Sequence, residues 1–255
     1  MKTLQYKLRI VKFLFTLGFI LIIAGCNKNG EKIDSDLKVE FQLQDDGVNY
    51  NLEDVFRING ETDIFIDKFQ FYVSDFAMTN SDGEKRDIEE ISLFTFESDG
   101  KASLDFEMPK GQYENISFGI GVKKELNETD PANYNTEGHP LNTIENTYWG
   151  WATMYRFITI EGRFDADLDG EFEGIYAYHT GLEDSYRNFA LDHELRLKKN
   201  DDNVLAFTIE VEQILGAAGN SINVTEEPFY HGGMENFHLS EKISDNFLGS
   251  ITVKQ

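Results

Sequence analysis

Leu37-Lys38-Val39-Glu40-Phe41-Gln42-Leu43 alternates apolar and polar residues at a period of two. That period places one set of side chains on each face of an extended strand, so the stretch is expected to form a half-buried β-strand. Working outward, Ile64 to Met78 carries Ile64, Ile66, Phe69, Phe71 and Val73 and reads as a longer strand. Further strands are expected over 88–96, 113–122, 154–164, 173–180, 193–197 and 204–211. Turn chemistry separates them: Ser81-Asp82-Gly83, Ser98-Asp99-Gly100, Asp169-Gly170 and Asn200-Asp201-Asp202. Short strands at this spacing point to a mostly antiparallel all-β fold, a β-sandwich with long loops. Helix is expected only in short C-terminal pieces, over 212–218 and over 239–248, the second closed by Gly249 as a C-cap. The polar, irregular stretch 126–147 is long enough to be a functional loop or a plain surface excursion.

The first residues carry Lys2, Lys7, Arg9 and Lys12, followed by an apolar run from Phe13 to Ile23 and then Ala24-Gly25. This is the order of a secretory signal, and the apolar run is short of the about 20 residues that span a bilayer. Ile23-Ala24-Gly25-Cys26 resembles a bacterial lipobox, with Cys26 as the lipidated residue; an ordinary signal with an incidental cysteine is the alternative. The expected organisation is a signal over 1–25, a polar tether over 26–36 and one domain over 37–255. A lipid anchor in the cell envelope follows, and the absence of Asp after Cys26 favours the outer membrane.

Cys26 is the single cysteine. Once it is acylated no thiol remains, which excludes disulfides, cysteine metal sites and a cysteine nucleophile. Removing four positive charges with the signal takes the formal charge from −23 to −27. Such a surface repels nucleic acid and anionic lipid and favours cations or basic partners. No nucleophile elbow, phosphate loop, His-Glu-x-x-His or dinucleotide fingerprint is present, so a binding protein rather than an enzyme is expected. A hydrolase built on paired carboxylates is the enzymatic alternative.

Aromatic residues crowd Tyr148-Trp149-Gly150-Trp151-Ala152-Thr153-Met154-Tyr155-Arg156-Phe157. Fully extended, this segment would align Trp149, Trp151, Tyr155 and Phe157 on one face, which is either a core face or a site. An acidic turn, Asp165-Ala166-Asp167-Leu168-Asp169-Gly170-Glu171, then joins two strands into a hairpin. Centring that turn near Leu168 sets His179 opposite Phe157, on the face of the tryptophans. The turn itself matches the first half of a calcium loop, with Asp165, Asp167, Asp169 and Glu171 as candidate ligands; an ordinary Asp- and Gly-rich hairpin turn is the alternative. The histidines are His139, His179, His193, His231 and His238, and none is paired at a diagnostic spacing.

Taken in order, Phe71-Tyr72-Val73-Ser74-Asp75, His139-Pro140-Leu141, the tryptophan segment, Glu161-Gly162, Tyr178-His179-Thr180-Gly181, His231-Gly232-Gly233-Met234-Glu235 and Ile243-Ser244-Asp245-Asn246-Phe247 resemble the MbnP-like family. The resemblance implies a β-rich periplasmic or outer-membrane protein that binds copper. It further implies a tryptophan oxidised to kynurenine by a di-haem enzyme of the cytochrome c peroxidase type, with histidines completing the copper site. Carried onto this chain, it makes His179, then His231 and His139, the copper candidates, and Trp149 or Trp151 the modified residue. Two departures stand out: relatives often carry a histidine in the first strand, absent from Val39–Leu43, and their Gly-Tyr-Lys-Phe is Met154-Tyr155-Arg156-Phe157 here.

Overall fold

The computed structural model describes residues 33–150 and 152–254. The expected signal, Cys26, the tether up to Lys32 and Trp151 lie outside the described residues. In chain order the strands are β1 (Ile33–Asp45), β2 (Val48–Asn49), β3 (Phe56–Ile58), β4 (Thr62–Asn80), β5 (Lys85–Thr95), β6 (Lys101–Pro109) and β7 (Gly111–Ile120). After a long loop follow β8 (Tyr148–Trp149), β9 (Met154–Tyr155), β10 (Ile158–Asp165), β11 (Gly174–His179), β12 (Arg187–Leu197), β13 (Asn203–Glu210), β14 (Phe229–Tyr230) and β15 (Ile251–Val253). The helices are α1 (Lys124–Asn127), α2 (Val211–Gly216) and α3 (Phe237–Ser250).

Two sheets form the sandwich expected from the strand pattern. One runs β15-β13-β1-β2 with β6 also on β1, and the other runs β12-β7-β4-β10-β11-β14 with β3 and β5 also on β4. Most pairs are antiparallel, but β1 and β13 lie parallel, as do β11 and β14. Leu37, Val39, Phe41 and Leu43 are buried as the alternation expects and Lys38 is exposed, but Glu40 is half-buried and Gln42 is buried, donating to the Leu43 and Gly100 carbonyls. Phe41 reaches across to Phe71 and Phe94, ring centres 5.1 and 4.9 Å away, and stacks on Phe207 at 4.8 Å. α3 adds Phe247 against Phe71 at 4.8 Å. Emptying one such aromatic position would cost about 3–5 kcal/mol.

β4 is buried on both faces. Phe69, Phe71 and Val73 enter the core between the sheets, and Tyr72 enters a second, smaller core with Ile91, Val122, Leu141, Tyr155 and Phe157. At Tyr72 one edge of β4 changes partner: its N–H donates to the Phe157 carbonyl and its carbonyl accepts from Gly121 N–H, both at 2.9 Å. β7 therefore leaves and β10 arrives at this residue. Gly121 is required there, because a Cβ at its φ of +112° would lie 2.5 Å from the Phe157 ring. The Tyr72 hydroxyl donates to the Pro140 carbonyl at 2.8 Å and takes the Thr147 hydroxyl proton at 2.7 Å. The Tyr155 hydroxyl donates to the Leu141 carbonyl at 2.8 Å. These bonds lay the stretch 126–147, irregular as its sequence suggests, onto the outer face of the sheet.

Several expectations need correction. β1 begins at Ile33, so pairing starts inside the stretch read as tether. The strand expected over 154–164 is broken into β9 and β10, and residues 148–157 are not one extended face. Instead β8 and β9 form a tight hairpin in which Trp149 pairs with Met154. Met154 has φ +62°, a left-handed backbone that glycine adopts more readily than methionine. α3 runs through Gly249 to Ser250 and passes directly into β15, a strand too short to show a period. β6 was not anticipated either. Among the described residues no helix is long and apolar enough to cross a membrane.

Two substitutions test this account. Tyr72→Phe leaves the Pro140 carbonyl and the Thr147 hydroxyl without their partner and should lower unfolding free energy by about 1–3 kcal/mol in denaturant titration. Met154→Gly relieves the left-handed backbone and should raise stability by about 0.5–1 kcal/mol, whereas Met154→Ala, which keeps the strain, should lower it.

Candidate metal centre

The β10–β11 hairpin fixes the first part of the site. Its register sets Thr159 opposite His179, two residues from the expected pairing with Phe157. A shift of two preserves side-chain parity, so His179 keeps the face expected of it and meets Glu161 diagonally. His179 Nε2 lies 2.8 Å from Glu161 Oε1, and the imidazole is buried while the carboxylate stays partly open. β14 then lies parallel to β11 through Phe229–Ala177 and Tyr230–Tyr178. This brings the next residue, His231, beside His179, and their Nδ1 atoms are 3.0 Å apart.

Thr153 locks the two imidazole-bearing segments together. A Cβ on Gly181 would lie 2.5 Å from Thr153 Cβ, and one on Gly232, whose φ is +88°, would lie 2.3 Å from Thr153 Cγ2. The β8–β9 hairpin therefore wedges a single methyl-bearing side chain between two glycines that follow the histidines. The same hairpin carries Trp149, whose indole meets His179 edge-on at 4.7 Å and His231 at 5.7 Å. The Arg156 guanidinium covers the indole at 4.7 Å, bonds the Asn146 carbonyl and lies 3.9 Å from Glu161. Arg156 is buried, and among the described residues its Nε has no hydrogen-bond partner.

Burial and the neighbouring charges together bias the protonation states. Burial pushes the His179 proton affinity down; the hydrogen bond it donates to Glu161 pulls the other way, and Arg156 and His231 oppose protonation again. His231 is exposed on one side, and the partial burial of its ring lowers its proton affinity as well. The hydrogen bond with His179 holds Glu161 below the usual carboxylate range, against its own partial burial. A neutral His179 beside an ionised Glu161 must donate from Nε2, which leaves the Nδ1 lone pair aimed at His231 Nδ1. Two nitrogen lone pairs at this separation repel unless a proton or a cation lies between them. Nitrogens about 2.0 Å from one metal ion are 3.0 Å apart when they subtend roughly 95°, an ordinary angle for neighbouring ligands. The donor set, neutral imidazole without thiolate, suits copper or zinc.

The other candidates fall elsewhere. His139 stacks on Tyr134 at 4.8 Å, and its Nδ1 accepts the Leu141 N–H at 3.0 Å, so it organises the long loop. His238 pairs with Glu227 at 3.0 Å on the exposed start of α3. In the acidic turn Asp165, Asp169 and Glu173 present oxygens within 4.8 Å of one another. Asp167 and Glu171 are not in that group, and Glu173 was not anticipated. Asp165 is buried and already receives the Leu168 and Gly170 N–H groups at 2.7 Å each. Burial raises its proton affinity, but these backbone bonds outweigh that and hold the carboxyl below the usual range. Sequence reasoning also missed Glu161 and Arg156 as site residues. Glu161 shares the parity of His179 and could have been found from the hairpin, whereas nothing local announces Arg156.

A sequence profile of the MbnP family matches residues 34–234. Among solved structures, MbnP from Methylosinus trichosporium aligns over 78% of this chain and 81% of its own, at 14% identity and a TM-score of 0.46. No curated protein matches. A match over more than three quarters of the chain shows that this protein belongs to the MbnP family.

Proposed function

We propose that this protein is a lipid-anchored protein of the cell envelope that binds one copper ion and catalyses no reaction itself. The observation that carries the reading is the pair of neutral imidazoles, His179 and His231, with Nδ1 atoms 3.0 Å apart. Both would be ligands, and bound copper would supply a soft, exchangeable electron-rich centre. Glu161 fixes the His179 tautomer by accepting the Nε2–H hydrogen bond, so that Nδ1 is the ligating atom. Trp149 is the indole in contact with both imidazoles. It is accordingly our choice for conversion to kynurenine by a di-haem peroxidase-type partner, as the family resemblance implies. Thr153, Gly181 and Gly232 keep the two histidine segments at ligating distance. The envelope address rests on the Ile23–Cys26 run, with the outer membrane preferred.

Protein isolated from its native host should carry about one equivalent of copper, and a peptide containing Trp149 should show the mass change from tryptophan to kynurenine. His179→Ala and His231→Ala should each weaken copper binding by well over tenfold, which is about 1.4 kcal/mol per tenfold. Native-host protein with neither copper nor the modification would overturn the reading and leave a structural module of the envelope.

In the metal-free protein, NMR titration should find His179 and His231 gaining protons only below the ordinary histidine value of about 6.5. The sign follows from linkage. Below about 6.5 the unfolded chain takes up protons that the folded pair refuses, so stability falls as pH drops toward the lowered folded values. Copper binding, which needs the neutral rings, should correspondingly persist below that pH.

A further inference from the structure

We propose that the free edge of β5 is a docking slot for an extended segment of another protein in which basic and apolar residues alternate. The direction of the backbone groups follows from β4. Tyr72 turns its N–H and carbonyl toward Phe157 and Gly121. Its neighbours Phe71 and Val73 must therefore turn theirs toward β5, where they face Phe94 and Ser92. Phe96 N–H donates to the Phe69 carbonyl at 3.0 Å on the same side, consistent with that phase. In β5 the alternate residues Ile91, Leu93 and Thr95 then direct N–H and C=O away from β4. Among the described residues, no strand pairs with β5 on that side.

Those three residues open into a groove of about 410 Å³ between the 138–145 loop and β6. Its walls combine the apolar surfaces of Leu104 and Phe106 with Glu89, Asp105 and Glu145. Among the described residues none of these three carboxylates is in a salt bridge, whereas the neighbouring Glu90 is held by Lys123 at 2.8 Å. An open strand edge invites pairing. A second copy of this chain, with a formal charge of −23, would bring acid against acid. A strand bearing cations on one face satisfies both the edge and the walls, the mode by which extended peptides are added to sheets.

The test uses the folded protein and two end-blocked peptides, one of alternating Lys and Val and one of alternating Glu and Val. The Lys/Val peptide should bind and slow hydrogen exchange at the Ile91, Leu93 and Thr95 amides by about tenfold or more, and the Glu/Val peptide should not. Leu93→Pro removes an N–H that β4 does not use, a replacement edge strands tolerate, and should weaken binding by about tenfold. Methylating alternate backbone nitrogens of the Lys/Val peptide should do the same if that variant fails to fold. Asp105→Lys should also weaken binding. Binding without protection of the three amides, or binding indifferent to both the proline and the methylated peptide, overturns the proposal in favour of electrostatic adhesion only. Self-pairing of the chain along this edge overturns it as well.

Discussion

The arrangement depends on one strand being satisfied on both edges and both faces. β4 spans Thr62–Asn80, and its buried backbone groups must all find partners in a region closed to water. Tyr72 resolves the demand where β7 and β10 meet on the same edge, by splitting its two backbone bonds between Gly121 and Phe157. Its side chain then ties down the loop at Pro140 and Thr147. Because Phe157 is fixed there, Arg156 and Tyr155 are fixed with it, and the β8–β9 hairpin inherits their position. The histidine pair is therefore held from two directions, by the β10–β11 ladder on one side and by a hairpin hung from Tyr72 on the other.

Burying Arg156 against this site is costly in isolation. A guanidinium taken out of water loses hydration that one carboxylate at 3.9 Å and a backbone carbonyl only partly replace. The indole face of Trp149 adds an electrostatic contact that strengthens when water is excluded. The arrangement also balances Glu161 with a fixed positive charge. The imidazoles thus sit between opposite charges rather than in a uniformly acidic pocket, despite the strongly acidic chain around them.

The sandwich was legible because β1 and the β10–β11 hairpin keep a strict period, so parity survived even where the turn centre was misplaced by two residues. β4 was legible as a strand but not as the shared one, since burial on both faces erases the alternation that would show which side is core. The Trp149 segment misled because aromatic alternation suggested a straight strand. The chain instead turns between Trp149 and Met154, with Met154 holding a conformation its side chain gives no reason to expect. His231 was suspected only through the family resemblance: β14 is two residues long, preceded by proline, and carries no period of its own. Glu173 was missed in favour of Glu171 because the turn was laid on a linear spacing rather than on the hairpin's actual geometry.

The Thr153 wedge has a consequence for the order in which the molecule is made. His179 and His231 are 52 residues apart, and the side chain that seats between their glycines belongs to a third segment. No hairpin or local nucleus contains all three, so their assembly waits on long-range closure, the slow part of a folding reaction. Partly folded chains would hold scattered imidazoles rather than a chelating pair. The chelating pair is complete only once the short parallel strand β14 has docked on β11 and Thr153 has seated between the two glycines.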